Sequence, residues 1–376
     1  MKLIYIANAR IPTEKAHGIQ IMQMCVAFAK NNEVELVIPR RVNWIKENPF
    51  EYYGIERNFS ITKLPCLDLI PFDKYIGHFG MLTESLTFNL FVFPYILFKK
   101  ADIIYTRDKF LLPLCLFLGN IIFEAHTFPK NYFLYSPFLK KVKGVVVITQ
   151  GLKDLFVKWG ISADKVLVVP DGVDLRKFQI TNSKSQIRER LGLPQNKKIV
   201  LYTGHLYSWK GAQILAEASR YLPEDVEVYF VGGTKEDIEK FKVRCSNRSN
   251  VRIVGHRPHS EIPYWLKGAD VLVLPNSGKE EISKNWTSPL KMFEYMASKT
   301  PIVASDLPSI REILNEENAV LAEADNPEKF AEGIKKVMEK QELSDKISHR
   351  AFQDVQKYSW QDRAKRIYEY FSIAEK

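Results

Sequence analysis

Short runs of valine, isoleucine and leucine alternate with amphipathic stretches along almost the whole chain, and this rhythm restricts its possible folds more than any other feature. The runs are continuously apolar, as expected of strands that are buried on both faces of a helix-covered parallel sheet. In the first half they are LIYIA from Leu3, VELVI from Val34, DIIYT from Asp102, NIIFEA from Asn120, GVVVIT from Gly144 and a run around Leu167. The pattern predicts an α/β fold made of βαβ units.

A second series of apolar runs begins after an interruption rich in turn-forming and polar residues. Its members are KIVLYT from Lys198, VEVYFV from Val226, NVRIV from Asn250, DVLVLP from Asp270 and PIVAS from Pro301. The interruption consists of PDGVD from Pro170 and a polar segment, Thr181 to Ser185, and proline and glycine there indicate an interdomain connection. A chain of 376 residues also suits two domains of roughly 150 residues each. We therefore predict two doubly wound domains.

The end of the chain has helical spacing, with Trp360, Ile367, Tyr370 and Phe371 separated largely by steps of three, four or seven. We expect this helix to pack back onto the first domain. The predicted domains are residues 1–175, completed by a helix over 360–376, and residues 176–359.

The amino terminus, MKLIYIANARIP, has too short an apolar stretch for a signal peptide and alternates like a first strand. The longest apolar runs, Leu86 to Phe98 and Phe110 to Phe123, contain 13 and 14 residues. A helix that spans a membrane needs about 18. We therefore expect a cytoplasmic protein with no transmembrane segment.

The formal net charge of +10 is concentrated in the first half of the chain. Residues 1–180 contain 23 Lys and Arg against 16 Asp and Glu, or +7, which leaves 31 against 28, or +3, for the rest. Such an excess suits an anionic membrane, a phosphorylated ligand or nucleic acid. Because no RNP-like strand, zinc module or helix-turn-helix pattern occurs, we expect no nucleic-acid partner.

One segment, TSPLKMFEYMA from Thr287, has the spacing of a nucleotide site. Ser288 can cap a helix and Pro289 suits its first turn, so the amides near Leu290 and Lys291 would bind an anion such as a diphosphate. Glu294 follows six residues after Ser288, roughly 9 Å along a helix, where its carboxylate could accept hydrogen bonds from a ribose. An ordinary capped helix with a solvent-facing glutamate has the same pattern.

Other motifs occur in the same order as in a known enzyme family. They are ARIPTEKAHGIQ, EAHTFP, PDGVDLRKF, GHLYSWKG, VGG and SPLKMFEYMASKTPIVAS. Together they cover nearly the whole chain and resemble the GT-B glycosyltransferases of retaining family 4. The resemblance implies the GT-B architecture, two Rossmann-like domains facing a central cleft. It also implies that the first domain binds the acceptor and the second the nucleotide-sugar donor.

The resemblance places Lys210 of GHLYSWKG on the leaving diphosphate, close to Gly204 and His205. His205 stands where the family usually has a partner arginine. The charge on Lys210 would neutralise the charge that develops on the β-phosphate as the glycosidic bond breaks. Taken alone, a lysine at such a turn is usually only solvated.

The same resemblance assigns further residues to the site. His126 of EAHTFP would face the reacting sugar as a catalytic residue, although a histidine at a strand end is often a core residue. Gly18 would lie in a loop that faces the donor, and a plain turn is its alternative. Gly232 would approach the nucleotide and His256 would lie where relatives hold the base; His256 and His259 could equally be core histidines.

The chain departs from the family pattern at Trp286, where the family commonly has the first of two glutamates, which contacts the transferred sugar. Glu280, Glu281 or Asn285 could substitute for it. No DxD triplet occurs, so we expect no metal, with Lys210 and the helix dipole in its place. The GxGxxG fingerprint is also absent from the first turn, which argues against an NAD enzyme, and no cofactor is expected.

The predicted function is transfer of a sugar, with retention, from a UDP- or GDP-sugar to a hydroxyl of a sugar or lipid-linked acceptor. The expected context is cell-surface polysaccharide or glycolipid synthesis. A GT-B nucleotide-sugar epimerase and, less favoured, a basic nucleic-acid-binding protein are the alternatives. Four aromatic residues precede a basic cluster within Lys130–Lys143, which suggests docking on the inner face of an anionic membrane. Those aromatics could instead belong to the core.

Overall fold

The computed structural model describes residues 1–77, 79–245 and 248–371 and consists of two compact units. Unit 1 comprises Met1–Ile148, Leu152–Pro170 and the segment from Trp360 onward, and unit 2 comprises Thr149–Gly151 and Asp171–Ser359. The main boundary thus falls at Pro170, before the predicted Leu175. The predicted terminal helix covers Trp360–Tyr370 and lies in unit 1, while positions 372–376 of that prediction are outside the described residues.

Unit 1 contains a seven-stranded parallel sheet with the order β3-β2-β1-β4-β5-β6-β7. The strand order reverses between β1 and β4, as in doubly wound folds. The strands are β1 (Lys2–Ile6), β2 (Glu33–Pro39), β3 (Ser60–Leu64), β4 (Ile103–Thr106), β5 (Ile121–Ala125), β6 (Gly144–Val147) and β7 (Val166–Val168).

Unit 2 contains a six-stranded sheet with the order β10-β9-β8-β11-β12-β13, whose neighbouring strands are also parallel. The strands are β8 (Lys198–Thr203), β9 (Val226–Val231), β10 (Val251–Gly255), β11 (Val271–Leu274), β12 (Ile302–Asp306) and β13 (Val320–Glu323). The two doubly wound sheets confirm the predicted fold class.

Helices cover both sheets. In chain order they are α1 (Ala16–Phe28), α2 (Pro49–Tyr53), α3 (Asp73–Ile76), α4 (Phe79–Lys99), α5 (Tyr132–Leu139), α6 (Gln150–Lys158), α7 (Lys184–Leu191), α8 (Ala212–Ala218), α9 (Lys235–Cys245), α10 (Ile262–Gly268), α11 (Glu281–Asn285), α12 (Leu290–Ala297), α13 (Pro308–Arg311), α14 (Pro327–Glu339), α15 (Gln341–Val355) and α16 (Trp360–Tyr370).

The core of unit 2 shows why its strands are apolar without alternation. Ile199 and Leu201 of β8 belong to one hydrophobic cluster, while Val200 and Tyr202 belong to another. Successive side chains of a strand point to opposite faces, so both faces of the sheet are covered. The carboxyl ends of the strands are left as the edge where polar loops can meet.

Helix α4 is longer than the apolar run that the sequence showed in this region. It contains 21 residues with a mean hydropathy of 1.4 over an 18-residue window, so by length and composition it could cross a membrane. The apolar run that begins at Leu86 is only part of this helix, which starts at Phe79 and continues through Thr83. Buried core helices of soluble proteins can pass the same test, but only 28% of this window is buried.

Candidate functional site

The carboxyl ends of three neighbouring strands in unit 2 turn at glycines. Gly204 follows β8, Gly232 follows β9 and Gly255 ends β10, and their amides and carbonyls link the turns. The amide of Gly232 donates to the carbonyl of Gly255 at 2.8 Å. Gly232 has φ of 120°, and a Cβ there would meet the carbonyl oxygen of Gly204 at 2.5 Å. Only glycine allows this close approach, which leaves the edge of the sheet free of side chains.

Lys210 lies in the loop after β8, in a 3₁₀ turn formed by Ser208–Lys210. Its ammonium group sits 5.5 Å from the ring centre of Tyr207 and 5.2 Å from that of Trp209. Burial lowers the pKa of Lys210 to about 8, and the carboxylate of Asp237 opposes the shift. Below about pH 8 the lysine is therefore a charged but desolvated cation, which binds an anion more strongly than a solvated one does.

Helix α12 starts one residue later than predicted, and Ser288 does not cap it. The N-cap is Pro289, and no side chain caps the helix. Ser288 is buried, and its hydroxyl oxygen instead accepts a hydrogen bond from the amide of Asp171 at 3.1 Å. This hydrogen bond thus links Asp171 to the loop before α12. The amide of Met292 donates to the carbonyl of Pro289 at 2.9 Å. The amides before it, at the start of a helix without a side-chain cap, are of the kind that bind anions.

Lys291, in the first turn of α12, is the most unusual charged residue of the site. Its side chain is buried, and its Nζ has no hydrogen-bond partner within the described part of the chain. The ammonium lies 3.6 Å from the ring centre of Tyr202. Burial lowers the pKa of Lys291 well below its usual range, and the charge of Lys210 lowers it further. The two lysines are therefore close enough to repel each other, as expected of a site that binds an anion with several charges.

Glu294, one turn further along α12, is paired with a histidine. His259 Nε2 donates to Glu294 Oε1 at 2.7 Å. The other ring nitrogen of His259 is buried without a hydrogen-bond partner in the described structure. Burial lowers the pKa of Lys177, while the carboxylates of Asp174 and Glu294 raise it, so this lysine is also near Glu294. Glu294 is therefore oriented, but it keeps a second oxygen for a hydroxyl group.

The other residues predicted for this site have less distinctive surroundings. The His205 ring stacks on Tyr207 at 5.0 Å, and its Nδ1 lies 3.8 Å from Asp237. His256 is exposed after Gly255, and Leu290 is half-buried at the start of α12. The structure thus brings Lys210, Lys291 and α12 together, while His256 has no feature that assigns it a role.

Among the three residues that could replace the family's first glutamate, Glu280 is the one that contacts the lysine loop. The Ser208 hydroxyl donates to Glu280 Oε1 at 3.4 Å. Glu281 accepts from Asn285 within α11 at 2.8 Å. Trp286 is half-buried directly after that helix.

Unit 1 holds a different cluster of charge around Glu124, at the end of β5. Its Oε1 accepts hydrogen bonds from Gln20 (2.6 Å), His126 (2.5 Å) and Arg363 (3.1 Å), and its Oε2 accepts one from the Tyr105 hydroxyl. Burial alone would raise the pKa of Glu124, but the charge of Arg363 and the hydrogen bond from His126 outweigh it and hold the pKa well below its usual range. The carboxylate is therefore charged, and both of its oxygens accept hydrogen bonds.

Arg363 lies on α16 and links this terminal helix to the rest of unit 1. Besides Glu124, its guanidinium donates to the carbonyl of Pro170 at 3.0 Å and contacts the sulfur of Met24 at 3.2 Å. This buried ion pair is one of several polar contacts between α16 and the rest of unit 1, beside those of Arg366 and Tyr368. The sequence pattern showed the apolar spacing of α16 but not this arginine.

His126 is therefore held by a buried carboxylate through Nε2, and among the residues described no side chain hydrogen-bonds to its other ring nitrogen, which can contact another group. His17 lies nearby, and burial, together with the charges of Arg107 and Lys15, lowers the pKa of His17 to about 3. His17 is thus neutral at physiological pH. It was not singled out by the sequence, although it lies beside Gly18.

Gly18 lies in the first turn of α1, and its neighbours account for the absence of a side chain. A Cβ there would meet the Tyr53 hydroxyl at 2.2 Å and the Thr13 methyl at 2.6 Å. The Tyr53 hydroxyl bridges the amide and the carbonyl of Thr13. The contacts with Tyr53 and Thr13 explain a glycine at this position without any ligand. A contact between Gly18 and the sugar donor therefore stays a prediction.

The sequence of unit 2 matches a known family. Residues 183–354 match the family described as glycosyl transferases group 1. A D-inositol 3-phosphate glycosyltransferase of Xylanimonas cellulosilytica is 26% identical over 236 residues, which are 60% of this chain and 55% of the relative. The chain spans about half the length of the curated relatives that it matches.

Two solved structures resemble the whole chain. Anabaena Alr3699/HepE in complex with UDP and glucose has a TM-score of 0.76 at 17% identity, covering 100% of both chains. WaaG, a glycosyltransferase involved in lipopolysaccharide biosynthesis, has a TM-score of 0.71 at 15% identity, covering 99% of this chain and 100% of its own.

The fold is thus of the GT-B type, with two Rossmann-like units. The match to the glycosyl transferases group 1 family is confined to residues 183–354, which lie within unit 2.

Proposed function

We propose that this protein is a retaining, metal-independent glycosyltransferase of family 4 that uses a UDP- or GDP-sugar. The observation that carries the proposal is the buried, unpartnered ammonium of Lys291 beside Lys210 at the start of α12. A desolvated cation without a hydrogen-bond partner is unfavourable, and a diphosphate would supply both acceptor oxygens and negative charge. Solved neighbours bind UDP or UDP-glucose, which supports a nucleotide donor.

In this proposal the residues of α12 hold the nucleotide. The free amides at the start of the helix and Lys291 bind the diphosphate, and Glu294 accepts hydrogen bonds from the ribose. His259 orients the Glu294 carboxylate through the 2.7 Å hydrogen bond. The glycine turns after β8, β9 and β10 leave room for the base and the phosphates.

Lys210 acts on the leaving group. As the bond between the anomeric carbon and the β-phosphate oxygen breaks, negative charge develops on that oxygen and Lys210 stabilises it. The acceptor oxygen bonds to the anomeric carbon from the same face, and its proton passes to the leaving phosphate. This front-face course accounts for retention without an enzymatic nucleophile, and with two lysines it needs no metal.

We assign acceptor recognition to unit 1, where His126 has a ring nitrogen available beyond its hydrogen bond to Glu124. The charged carboxylate favours the tautomer that donates from Nε2, so the other nitrogen can accept from a hydroxyl group. The acceptor would be a sugar or lipid-linked hydroxyl, used in cell-surface polysaccharide or glycolipid synthesis in the cytoplasm.

The experiment begins with thermal stabilisation by UDP, GDP, UDP-sugars and GDP-sugars, because a ligand that binds only the folded state raises the melting temperature. The selected donor is then incubated with and without a panel of sugar and lipid-linked acceptors, in EDTA. We expect a nucleoside diphosphate to form only with an acceptor, and the product to keep the donor's anomeric configuration by NMR. Inversion, or activity only with an added divalent metal, would contradict the proposal.

The division of roles is tested by two variants. Lys210→Ala should lower kcat strongly, since the lysine acts on charge that develops in the transition state, while His126→Ala should lower transfer with little change in nucleotide affinity. Lys240→Ala, an exposed lysine of α9 paired with Glu236, is the matched control. Loss of nucleotide binding in His126→Ala with kcat intact would show that the roles are misassigned.

A further inference from the structure

Helix α4 of unit 1 is attached to the rest of the unit by one face. Glu84, Phe88, Val92 and Ile96 are buried and follow one another at intervals of four residues. Asn8, which follows β1, donates to the Glu84 carboxylate at 2.9 Å. The regular spacing places these residues on one stripe of the helix, so this stripe is its packed face.

The opposite side of α4 has an unusual composition. Every residue of the helix that is exposed is apolar: Phe79, Met81, Leu82, Leu86, Leu90, Phe91, Pro94, Leu97 and Phe98. Leu90 is 71% exposed and Phe98 is 85% exposed. The only charged residues of α4 are the buried Glu84 and the terminal Lys99. A surface helix in water normally carries polar and charged residues on its outer side, so this outer face of α4, defined by the nine residues above, is suited to an apolar environment.

The apolar surface extends beyond α4. The preceding turn and α3 expose Phe72 and Tyr75, the latter by 81%. The ring of Phe93 in α4 contacts that of Phe117 at 5.7 Å, and Phe117 is itself exposed. Large contiguous apolar surfaces are rare on soluble monomers and mark contacts with proteins or membranes.

We propose that the outer face of α4 inserts into the surface of an anionic membrane, with the helix lying in the plane of the bilayer. A spanning orientation would remove Asn8 and the rest of the sheet from the buried face of the helix, including the hydrogen bond to Glu84, so the helix lies on the membrane instead. Interfacial helices of this kind bury their apolar face about 5–10 Å deep.

The charges around α4 identify the partner as an anionic bilayer rather than a protein surface of unknown composition. Lys74 on α3 and Lys100, directly after α4, are both exposed, while Lys99 at the end of α4 pairs with Glu35 at 3.6 Å and the only carboxylate of α4 is buried. Lysines next to an apolar, aromatic-rich surface match the headgroup region of an anionic membrane. The excess charge of +7 in residues 1–180 also favours binding to an anionic membrane.

This surface is not the one that the sequence suggested. In the stretch Lys130–Lys143, Tyr132 is buried and stacks on Phe128 at 4.7 Å, and of the four aromatics only Phe133 is exposed. Helix α5 nevertheless contacts the 3₁₀ segment Lys109–Leu116, which also contacts α4. It can add a smaller contribution beside the outer face of α4.

The test is co-flotation of the full chain with vesicles of phosphatidylcholine and phosphatidylglycerol, and with vesicles of phosphatidylcholine alone. We expect flotation with the anionic vesicles that weakens with salt. The double variant Leu86→Glu with Leu90→Glu should lower partitioning about a hundredfold, since two exposed leucines lose their transfer from water. Both positions face solvent in unit 1, so circular dichroism and melting temperature should stay close to those of the parent chain.

Two further variants separate the apolar contribution of α4 from the contribution of its neighbouring lysines. Val243→Glu places one such glutamate at an exposed apolar residue of α9 in unit 2 and should float like the parent. Lys74→Glu with Lys100→Glu should weaken binding to anionic vesicles without changing the melting temperature. These variants do not touch the proposed nucleotide site, so UDP or GDP binding should be unaffected whether or not the membrane proposal holds.

Three outcomes would overturn the membrane proposal. The first is absence of flotation even at low salt. The second is a dimer in sedimentation velocity that dissociates in the Leu86→Glu, Leu90→Glu variant without any flotation, which would make the face an interface between two copies. The third is resistance of bound protein to alkaline extraction, which would indicate a spanning helix.

Discussion

Two clusters of buried charge, one in each unit, are built in opposite ways. In unit 1, Glu124 is surrounded by donors from Gln20, Tyr105, His126 and Arg363, so its charge is compensated by the protein itself. In unit 2, the ammonium of Lys291 rests over Tyr202 and finds no hydrogen-bond partner among the residues described. The first cluster is complete without a ligand, whereas the second lacks an anion.

The difference separates what stabilises the fold from what serves binding. Breaking a buried ion pair by removing one partner leaves an uncompensated charge and is strongly destabilising. Removing a buried charge that has no partner relieves a desolvation penalty instead. Substitutions in the two clusters should therefore affect different quantities, stability in unit 1 and nucleotide affinity in unit 2.

The largest effect is expected for Arg363→Met. This change leaves the Glu124 carboxylate buried without its main cationic partner and should lower the free energy of unfolding by about 3–5 kcal/mol. Denaturant titration followed by circular dichroism measures it. Arg366→Met is the matched control, because that arginine lies on the same helix but is exposed and donates to a backbone carbonyl, that of Val168. Equal stability of the two variants would show that the Glu124 cluster is not the stabilising element of unit 1.

A smaller effect is expected for Glu294→Ala. Loss of charge-assisted hydrogen bonds to the ribose should weaken binding of the nucleoside diphosphate by about 1.5–3 kcal/mol in calorimetry. The exposed Glu239→Ala on α9 serves as the control. If Glu294→Ala binds the nucleotide as the parent does while remaining folded, this glutamate does not belong to the ribose site.

The smallest effect concerns pH. The pKa of Lys210 is lowered to about 8 by burial, and a bound diphosphate favours the charged lysine. Below pH 8 the lysine is already charged, so it adds no pH dependence there. Above pH 8 binding must include uptake of a proton, and affinity should fall by up to about tenfold per pH unit. In Lys210→Met this additional slope above pH 8 should be absent; a slope that persists would exclude Lys210 from the anion site.

The sequence predicted the central strands well because strands buried on both faces must be apolar throughout. It did not reveal β3 and β13, which lie at the edges of their sheets and are only partly buried. Edge strands need less apolar sequence, so SITKL and VLAE do not stand out. The length of helix α4 was underestimated because Thr83, Glu84 and Ser85 precede the apolar run that begins at Leu86 but do not interrupt the helix.

In the candidate site, the motif containing Ser288 and Glu294 led to the right helix but to the wrong cap. A serine before a proline is an ordinary capping signal, and only the fold shows that its hydroxyl accepts from the amide of Asp171. The role of His259 also depends on a contact 35 residues away in sequence, which no local pattern contains. The unpartnered state of Lys291 is likewise a property of its three-dimensional surroundings.

The most direct test of the account is nucleotide binding to Lys291→Met by calorimetry, with UDP and GDP, in two buffers of different ionisation enthalpy. Lys267→Met is the control, because the ammonium of Lys267 donates to the carbonyl of Ile180 at 2.9 Å and this lysine lines a pocket with Lys198, the first residue of β8. We predict that Lys291→Met binds the nucleotide that stabilises the parent protein roughly tenfold to a hundredfold more weakly. It should also take up fewer protons on binding and be no less stable to denaturant. Unchanged affinity and proton uptake in Lys291→Met would contradict the claim that this buried lysine binds the diphosphate.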